Sequence, residues 1–587
     1  MGKPRLRAKI MPMKNFHPTL EHAFYAIALT IAVGLRFLHL GSLPLSNFEA
    51  GWALQALRVS QGVHPALDPN PAYIHLTAIL FYIFGATNFL ARFWPAVAGA
   101  GLVLVPWSLR SRLGRNPAII LAFGLALDPG LVAMSHLAGG PMLAITCLVL
   151  SGVMWLEGRN TAAGIFAGLA ALSGASVWFG LLGLVLSWAF STAFRKRIPS
   201  QTGEKIETKE SSEKITQRGW QGYQRTLASG FGTIIIIGSL FFLSPKGLPA
   251  FVMSFVESLR GWWTLSDVQA WRLLLALPAY EILPLGFGIA GAVRGIRNRN
   301  KIIISLTVWA FMGLLLAIMY PGKQTGDLSW ALLPIWALAA LELGQHLNFE
   351  DCNLWGLAGV VVLVDSLLVF GWLNLAKVTT MDLGLDEARV RLYVLLAVIL
   401  LIGLSLFLVR AGWSGRIARL GGVWAGVFAL LAFTLAMSTG AGGLREPLTV
   451  ELWPPEPRTG RVDVLLKVAN QISNLNTGYD GQLTLTIVAV DSPALRWLFR
   501  DWQLQEVNAL TPDATPEMVI SSIDKLNLAA NYRGEALPLS EVADWSHAKT
   551  SDWLKWFVYR QMPILRQEII LWVRSDLMLD NQGVPNP

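Results

Sequence analysis

Glu49 is the acid best placed for chemistry in this sequence. It lies in Leu45-Ser46-Asn47-Phe48-Glu49-Ala50, directly after the first long apolar run. A carboxylate at the mouth of a membrane bundle can take a proton from an acceptor hydroxyl, so Glu49 is the candidate general base. The competing reading is an acid in the first turn of a helix, where the helix dipole favours negative charge and no reaction is implied. Glu281, in Pro278-Ala279-Tyr280-Glu281, falls inside an apolar run. An ionisable group at membrane depth points to function by default, against a structural hydrogen bond to a neighbouring helix. Lys323 and Asp327 share a polar loop with Gln324. The lysine can meet a lipid phosphate as a point charge, or simply be solvated. His64 and Asp68 read as loop residues, His75 as an interfacial residue, and His136 as a surface residue after the third apolar run. No pair of histidines or carboxylates has metal-ligand spacing, so no metal site is expected. The two cysteines, Cys147 and Cys352, allow neither a disulfide framework nor a thiolate metal site.

These groups need elements to hold them, and composition says which. Of 587 residues, 53% are hydrophobic and 14% charged, with a mean hydropathy of +0.49. A chain so apolar cannot hide its surface in water, which excludes a wholly soluble enzyme and a disordered protein. The net charge of +9 divides unevenly. Residues 440–587 carry 13 basic and 18 acidic side chains, a net of −5, which leaves +14 on residues 1–439. The excess sits in short clusters between apolar runs, as the positive-inside rule predicts. It is not the basic face of a soluble nucleic-acid-binding domain.

A span needs about 20 mostly apolar residues. Runs at 21–40, 92–110, 117–134, 141–157, 161–175, 177–193, 227–243, 270–293, 302–320, 330–346, 354–373, 389–410 and 420–438 predict about thirteen. The basic clusters then share one side, with a cytoplasmic N-terminus (basic over 1–14) and an uncleaved first span. That order holds only if 72–87 lies in the interface rather than crossing. Residues 41–91 become an external loop with interfacial helices near 49–61 and 72–87. A second external stretch, 244–268, carries Gly261-Trp262-Trp263 at headgroup level. Residues 195–225 read as a cytoplasmic linker without a fold of its own. Residues 1–440 thus form the membrane domain and 441–587 an extracytoplasmic α/β domain. In the latter a helix is predicted over 461–475, strands over 482–490, 516–522 and 567–574, and a Trp-rich helix over 552–562. It lacks a Gly-rich phosphate loop and a Ser-His-Asp set.

The order of these parts resembles the GT-C membrane glycosyltransferases, in particular the protein mannosyltransferase and aminoarabinose-transferase-like superfamily. Residues 46–62, 85–110, 271–284 and 494–501 (ALRWLFRD) look like the subgroup of flippase-associated glycosyltransferase-like membrane proteins. The resemblance covers nearly the whole chain and rests on the order of motifs, no one of which is specific. It implies a polytopic helical bundle that moves a sugar from a polyprenyl-phosphate carrier to an acceptor at the outer face, with an acid as base and no nucleotide. A divalent metal sometimes assists in such enzymes. It also implies contact with membrane lipid and with other cell-envelope membrane proteins, and none with nucleic acid. Several motif positions depart from the family. Phe48 stands where the family's acidic pair begins, leaving Glu49 alone. Asn70-Pro71 stands where a His-Pro is usual. Gly139 and Pro141 replace an Arg and an Asp, and a lysine is missing from residues 172–180. Asn70, His75, His136, Glu281, Lys323 and Asp327 are the remaining candidates for substrate contact. Either Glu49 works with groups from elsewhere, or the chain keeps the fold as an inactive lipid-binding or assembly subunit.

Overall fold

The computed structural model describes residues 19–196, 209–347, 353–381, 386–445, 450–453, 458–460, 462–522 and 529–578. The basic cluster at 1–14 and Cys352 lie outside these residues. Every apolar run becomes helix. Among the described residues, eight helices are long and apolar enough to cross a membrane, or up to ten if two bent pairs each form one span. These pairs are Arg115–Leu127 with Pro129–Ser135, bent by 53°, and Ala270–Tyr280 with Ile282–Arg297, bent by 90°. The expected thirteen exceeds this count partly because Met142–Leu156 and Asn160–Ala171 have only 15 and 12 residues. Twelve residues rise roughly 18 Å, well short of a hydrocarbon core of roughly 30 Å. The chain is a multi-pass membrane protein by these helices.

Small residues let the bundle pack closely, as expected where lipid gives no hydrophobic drive between helices. A β-carbon at Gly164 would sit 2.2 Å from the Thr226 carbonyl, so Asn160–Ala171 packs against Lys209–Gly238 backbone to backbone. That second helix corrects the linker reading. Residues 198–208 lie outside the described residues, but from Lys209 the chain is already helical.

Helices form at Asn47–Ser60 and Pro71–Phe84, close to the two expected as interfacial. Ser46 caps the first; Pro71 opens the second and Gly85, at φ +84°, ends it. Ala50, Ala53 and Ala56 of the first pack on Tyr73, Ile74 and Ala78 of the second.

The tail is a six-stranded sheet of β1 (Arg458–Thr459), β2 (Thr484–Val488), β3 (Gln503–Val507), β4 (Met518–Ser521), β5 (Tyr532–Ala543) and β6 (Ile564–Arg574), in the order β1-β5-β6-β4-β2-β3. Strand β2 runs parallel to β3 and β4, and the other pairs are antiparallel. Helices Val462–Thr477 and Thr550–Tyr559 match the expected ones. Strands β1, β3 and β5 carry no alternating pattern strong enough to read from sequence. The tail is seated on the membrane part. Trp556 shares a core with Tyr280 and Trp453, and the buried Arg560 guanidinium stacks on the Tyr280 and Trp556 rings at 4.6 and 4.3 Å.

Candidate functional site

Glu49 is the third residue of its helix and closes a capping box. The Glu49 N–H donates to Ser46 Oγ at 3.3 Å, and the Ser46 N–H donates to Glu49 Oε2 at 3.0 Å. Two further groups converge on the same carboxylate. Arg92, from helix Asn88–Leu102, donates from Nε to Oε1 and from Nη2 to Oε2, both at 2.7 Å. The Ala138 N–H donates to Oε1 at 3.0 Å. The four donors account for the ordinary acceptor capacity of a carboxylate. Both side chains are buried. Burial alone would push the Glu49 carboxyl up, but the Arg92 charge and hydrogen bonds, with the Ala138 and Ser46 amides, outweigh it and hold the group below the usual carboxylate range. Arg92 spends its remaining donors on the Leu40, Leu43 and Pro44 carbonyls at 2.8–3.2 Å. The pair pins the start of the first interfacial helix to the loop before it. Sequence reasoning gave Arg92 no role, although a cation within an apolar run was the signal available.

Beside this strut lies a cavity of about 490 Å³. Asn47, Phe48 and Trp52 line it from the first interfacial helix, Asp68 and Asn70 from the loop before the second, and Gly139 and Pro141 from the turn before helix Met142–Leu156. Ser173 and Ser176, Glu257, and Gln324 to Asp327 complete it. Glu49 is not among the lining residues; Phe48 is. Phe48 and Trp52 form an aromatic wall with ring centroids 5.8 Å apart. Gly139, at φ +72°, lets the turn lie against Trp52, since a β-carbon there would meet the indole Cγ at 3.1 Å.

Among the described residues, three carboxylates reach this cavity from separate segments, and no lysine, arginine or histidine lines it. Asp327 is buried and accepts the Gln324 N–H on Oδ2 at 2.9 Å, closing the 3-10 turn Thr325–Leu328. Asp68 is exposed and paired with the Gln55 amide. Glu257, on helix Gly247–Arg260, is exposed and was not singled out from sequence. Asn70 donates from Nδ2 to the Gly139 carbonyl at 3.1 Å, while its buried Oδ1 has no partner. Among the described residues, no three of His, Cys, Asp or Glu are grouped so as to hold a metal ion.

The other candidates lie elsewhere. His75 is buried, not interfacial; its Nδ1 meets the Ile237 carbonyl at 2.8 Å, and burial lowers its pKa. His136 Nε2 meets the Leu35 carbonyl at 2.9 Å. Lys323 Nζ donates to the Tyr320 carbonyl at 3.3 Å, beside the cavity but outside its lining. Glu281 sits at the 90° break, accepts the Gly130 N–H at 3.2 Å and lies beside Asp128, which occupies the other break.

The tail reaches the cavity rim. Asn47 Oδ1 accepts from Ser492 Oγ at 2.8 Å and from the Ala494 N–H at 3.1 Å. Trp497 Nε1 donates to Asn88 Oδ1 at 2.7 Å, and the Arg500 guanidinium stacks on Trp497 at 4.6 Å. Ala494, Trp497 and Arg500 belong to the ALRWLFRD stretch, and Ser492 lies just before it.

The architecture has solved counterparts. ArnT from Cupriavidus metallidurans bound to undecaprenyl phosphate superposes with a TM-score of 0.53 at 15% identity, covering 96% of this chain and 99% of that one. Its apo state gives 0.52 at 15% identity, over 97% and 100%. The chain has the ArnT fold. A helical membrane bundle with a small tail domain is the fold that the order of motifs implied. No family model and no curated protein matches the sequence.

Proposed function

We propose that this protein takes a sugar carried on polyprenyl phosphate into the cavity beside Phe48 and transfers it to an acceptor hydroxyl at the outer face, with the N-terminus cytoplasmic and the tail outside. The observation that carries this reading is the cavity itself, which is walled by aromatics, rich in acceptor oxygens and set in an ArnT-like fold. Undecaprenyl phosphate is the ligand bound in the ArnT structure. Sugar hydroxyls would satisfy the Asn70 Oδ1 and the carboxylates, and the sugar's C–H face would lie on Phe48 or Trp52. Carboxylates without a neighbouring cation repel phosphate, so the carrier phosphate belongs at the rim, where Lys323 lies, rather than in the cavity.

Asp327 is the proposed base. One of its oxygens is held by the Gln324 amide, which orients the other. The acceptor oxygen would attack the anomeric carbon, its proton passing to Asp327, while the bond from that carbon to the phosphate oxygen breaks and the phosphate leaves on the carrier. Glu49 serves instead as the strut that shapes the cavity wall. A second reading, binding without transfer, is favoured by Phe48 at the motif position and by the saturated Glu49.

The test is transfer and binding with the full chain in lipid nanodiscs, using a panel of labelled polyprenyl-phosphate sugars. Transfer by wild type that falls about a hundredfold or more in Asp327→Asn, with donor binding kept, supports the first reading. Binding without turnover in wild type, weakened in Trp52→Ala, supports the second. Failure of every lipid-linked sugar to bind overturns both.

A further inference from the structure

A second polar pocket lies at the opposite end of the bundle. Helix Leu20–Phe37 has Glu21 within 4.0 Å of Arg110 and Arg115 at its start, and Arg36, hydrogen-bonded to Ser135, near its end. Asn88–Leu113 is a 26-residue span that carries Arg92 near one end and Arg110 near the other. Twenty-six residues rise roughly 39 Å, about a bilayer's thickness. Arg110 therefore lies at the face remote from the Glu49 strut and the cavity.

The pocket measures about 530 Å³ and is lined by Trp107, Ser108, Arg110, Ser111, Glu157 and Arg159. The first four come from helix Val105–Leu113, the last two from the turn joining Met142–Leu156 to Asn160–Ala171. Its arginines differ in freedom. Arg110 is held in place: its guanidinium stacks on the Trp107 ring at 4.1 Å, and Nη1 donates to the Trp107 carbonyl at 2.8 Å. Arg159 is 69% exposed, and its 3.6 Å contact with Glu157 is a surface pair of little strength. One guanidinium is preset and one is free to swing in, with two hydroxyls between them.

Depth supplies the other half of the argument. Trp155 and Tyr223 pack edge to face at 6.5 Å, Trp220 stacks on Tyr223, and all three are exposed. They form an aromatic group of the kind found at headgroup level, and Trp107 adds a further indole in the pocket lining. Guanidinium groups pair with phosphate oxygens in a planar fork, and hydroxyls add donors. We propose that this pocket is a binding site for a phosphate group, supplied by an anionic phospholipid of the adjoining leaflet. Arg110 anchors the phosphate, Arg159 closes over it, and Ser108 and Ser111 donate to it. Glu157 and Glu21 limit the net positive charge, so the site retains one headgroup rather than a diffuse lipid shell. Arg112 and Arg115 extend the positive field beside it.

The experiment is native mass spectrometry of the full chain released from nanodiscs of phosphatidylglycerol, of phosphatidylcholine, or of an equal mixture. Wild type is expected to retain phosphatidylglycerol in preference to phosphatidylcholine. The double variant Arg110→Gln/Arg159→Gln should retain it about tenfold less, and the exposed Arg159→Gln alone should give a smaller loss in the same direction. Arg416→Gln, at a basic cluster elsewhere, should change nothing. Equal retention of the two lipids by wild type overturns the proposal, as does unchanged retention in both variants. Displacement of the retained lipid by millimolar inorganic phosphate would overturn the lipid as source and leave a soluble phosphate in its place.

Discussion

Glu49 and Arg92 form a two-pronged ion pair across 43 residues of sequence, with both N–O distances at 2.7 Å and both side chains buried. Removing one member leaves the other charged and unpaired in the interior. Arg92→Ala is therefore expected to cost about 3–5 kcal/mol of stability, read as a fall in the thermal midpoint in detergent. The pH dependence has a definite sign. The folded Glu49 group lies below its ordinary value of 4.5, so the stability it contributes is complete above pH 4.5 and is lost as pH falls through the folded value. Glu49→Gln should lack that acid-sensitive component. An identical acid limb in wild type and variant would refute the strut.

Local signals made the elements legible. Ser46 followed by Glu49 announces a helix start, and Pro71 and Gly85 bracket the next one. Those patterns depend on near neighbours, which a sequence displays. The role of Glu49 depends on Arg92 and on the Ala138 amide, 89 residues away, which it does not display. The cavity is similar: Asp68 from a loop, Glu257 from a helix and Asp327 from a 3-10 turn are brought together only by the bundle. Phe48 is a chemical blank by its side chain, and the structure adds that this residue, rather than the neighbouring acid, lines the open space. Strand β5 was missed because Gly534 and Pro538 interrupt its alternation; pairing with β6 supplies what its sequence does not.

His75 gives a second pH signature. Its Nδ1 must donate to the Ile237 carbonyl, and its buried Nε2 has no partner that would accept from a protonated ring. Burial lowers its pKa from the ordinary 6.5. A lowered folded value means that stability is complete above pH 6.5 and declines as pH drops below it. Wild type should lose thermal stability as pH falls below about 6.5, and His75→Asn should flatten this limb. Thermal midpoints across that range decide the matter.

Gly139 tests the shape of the cavity. Its backbone lies in the left-handed region, and a β-carbon would press on Trp52 at 3.1 Å. Gly139→Ala should cost about 1–2 kcal/mol from backbone strain. It should also weaken donor binding by shifting the aromatic wall. Unchanged donor affinity in a folded Gly139→Ala would separate the Trp52 wall from ligand contact.

The seat of the tail on the membrane part is aromatic and cationic. Trp556 lies against Tyr280, Trp545 and Trp553, and Arg560 donates to the Ala279 carbonyl at 3.1 Å. Trp556→Ala should cost about 3–5 kcal/mol and expose the tail to proteolysis before the bundle yields. A protease pattern like that of wild type would show that the seat contributes little to holding the tail.

Glu281 separates charge from hydrogen bonding. It accepts the Gly130 N–H at 3.2 Å and lies beside Asp128, so two carboxyl groups meet at two helix breaks. Glutamine reproduces that pattern without ionising: its carbonyl oxygen can accept from Gly130, and its amide can donate to Asp128. Glu281→Gln should therefore change stability by less than about 1 kcal/mol. Glu281→Leu should cost several kcal/mol, since the Gly130 N–H loses a buried partner and the Asp128 carboxyl a buried polar neighbour, at about 1–3 kcal/mol apiece. Thermal midpoints of the two variants test the structural role. Turnover tests the alternative: if Glu281→Gln melts like wild type yet fails to turn over a donor that wild type uses, the ionisation of Glu281 is functional and the structural assignment falls.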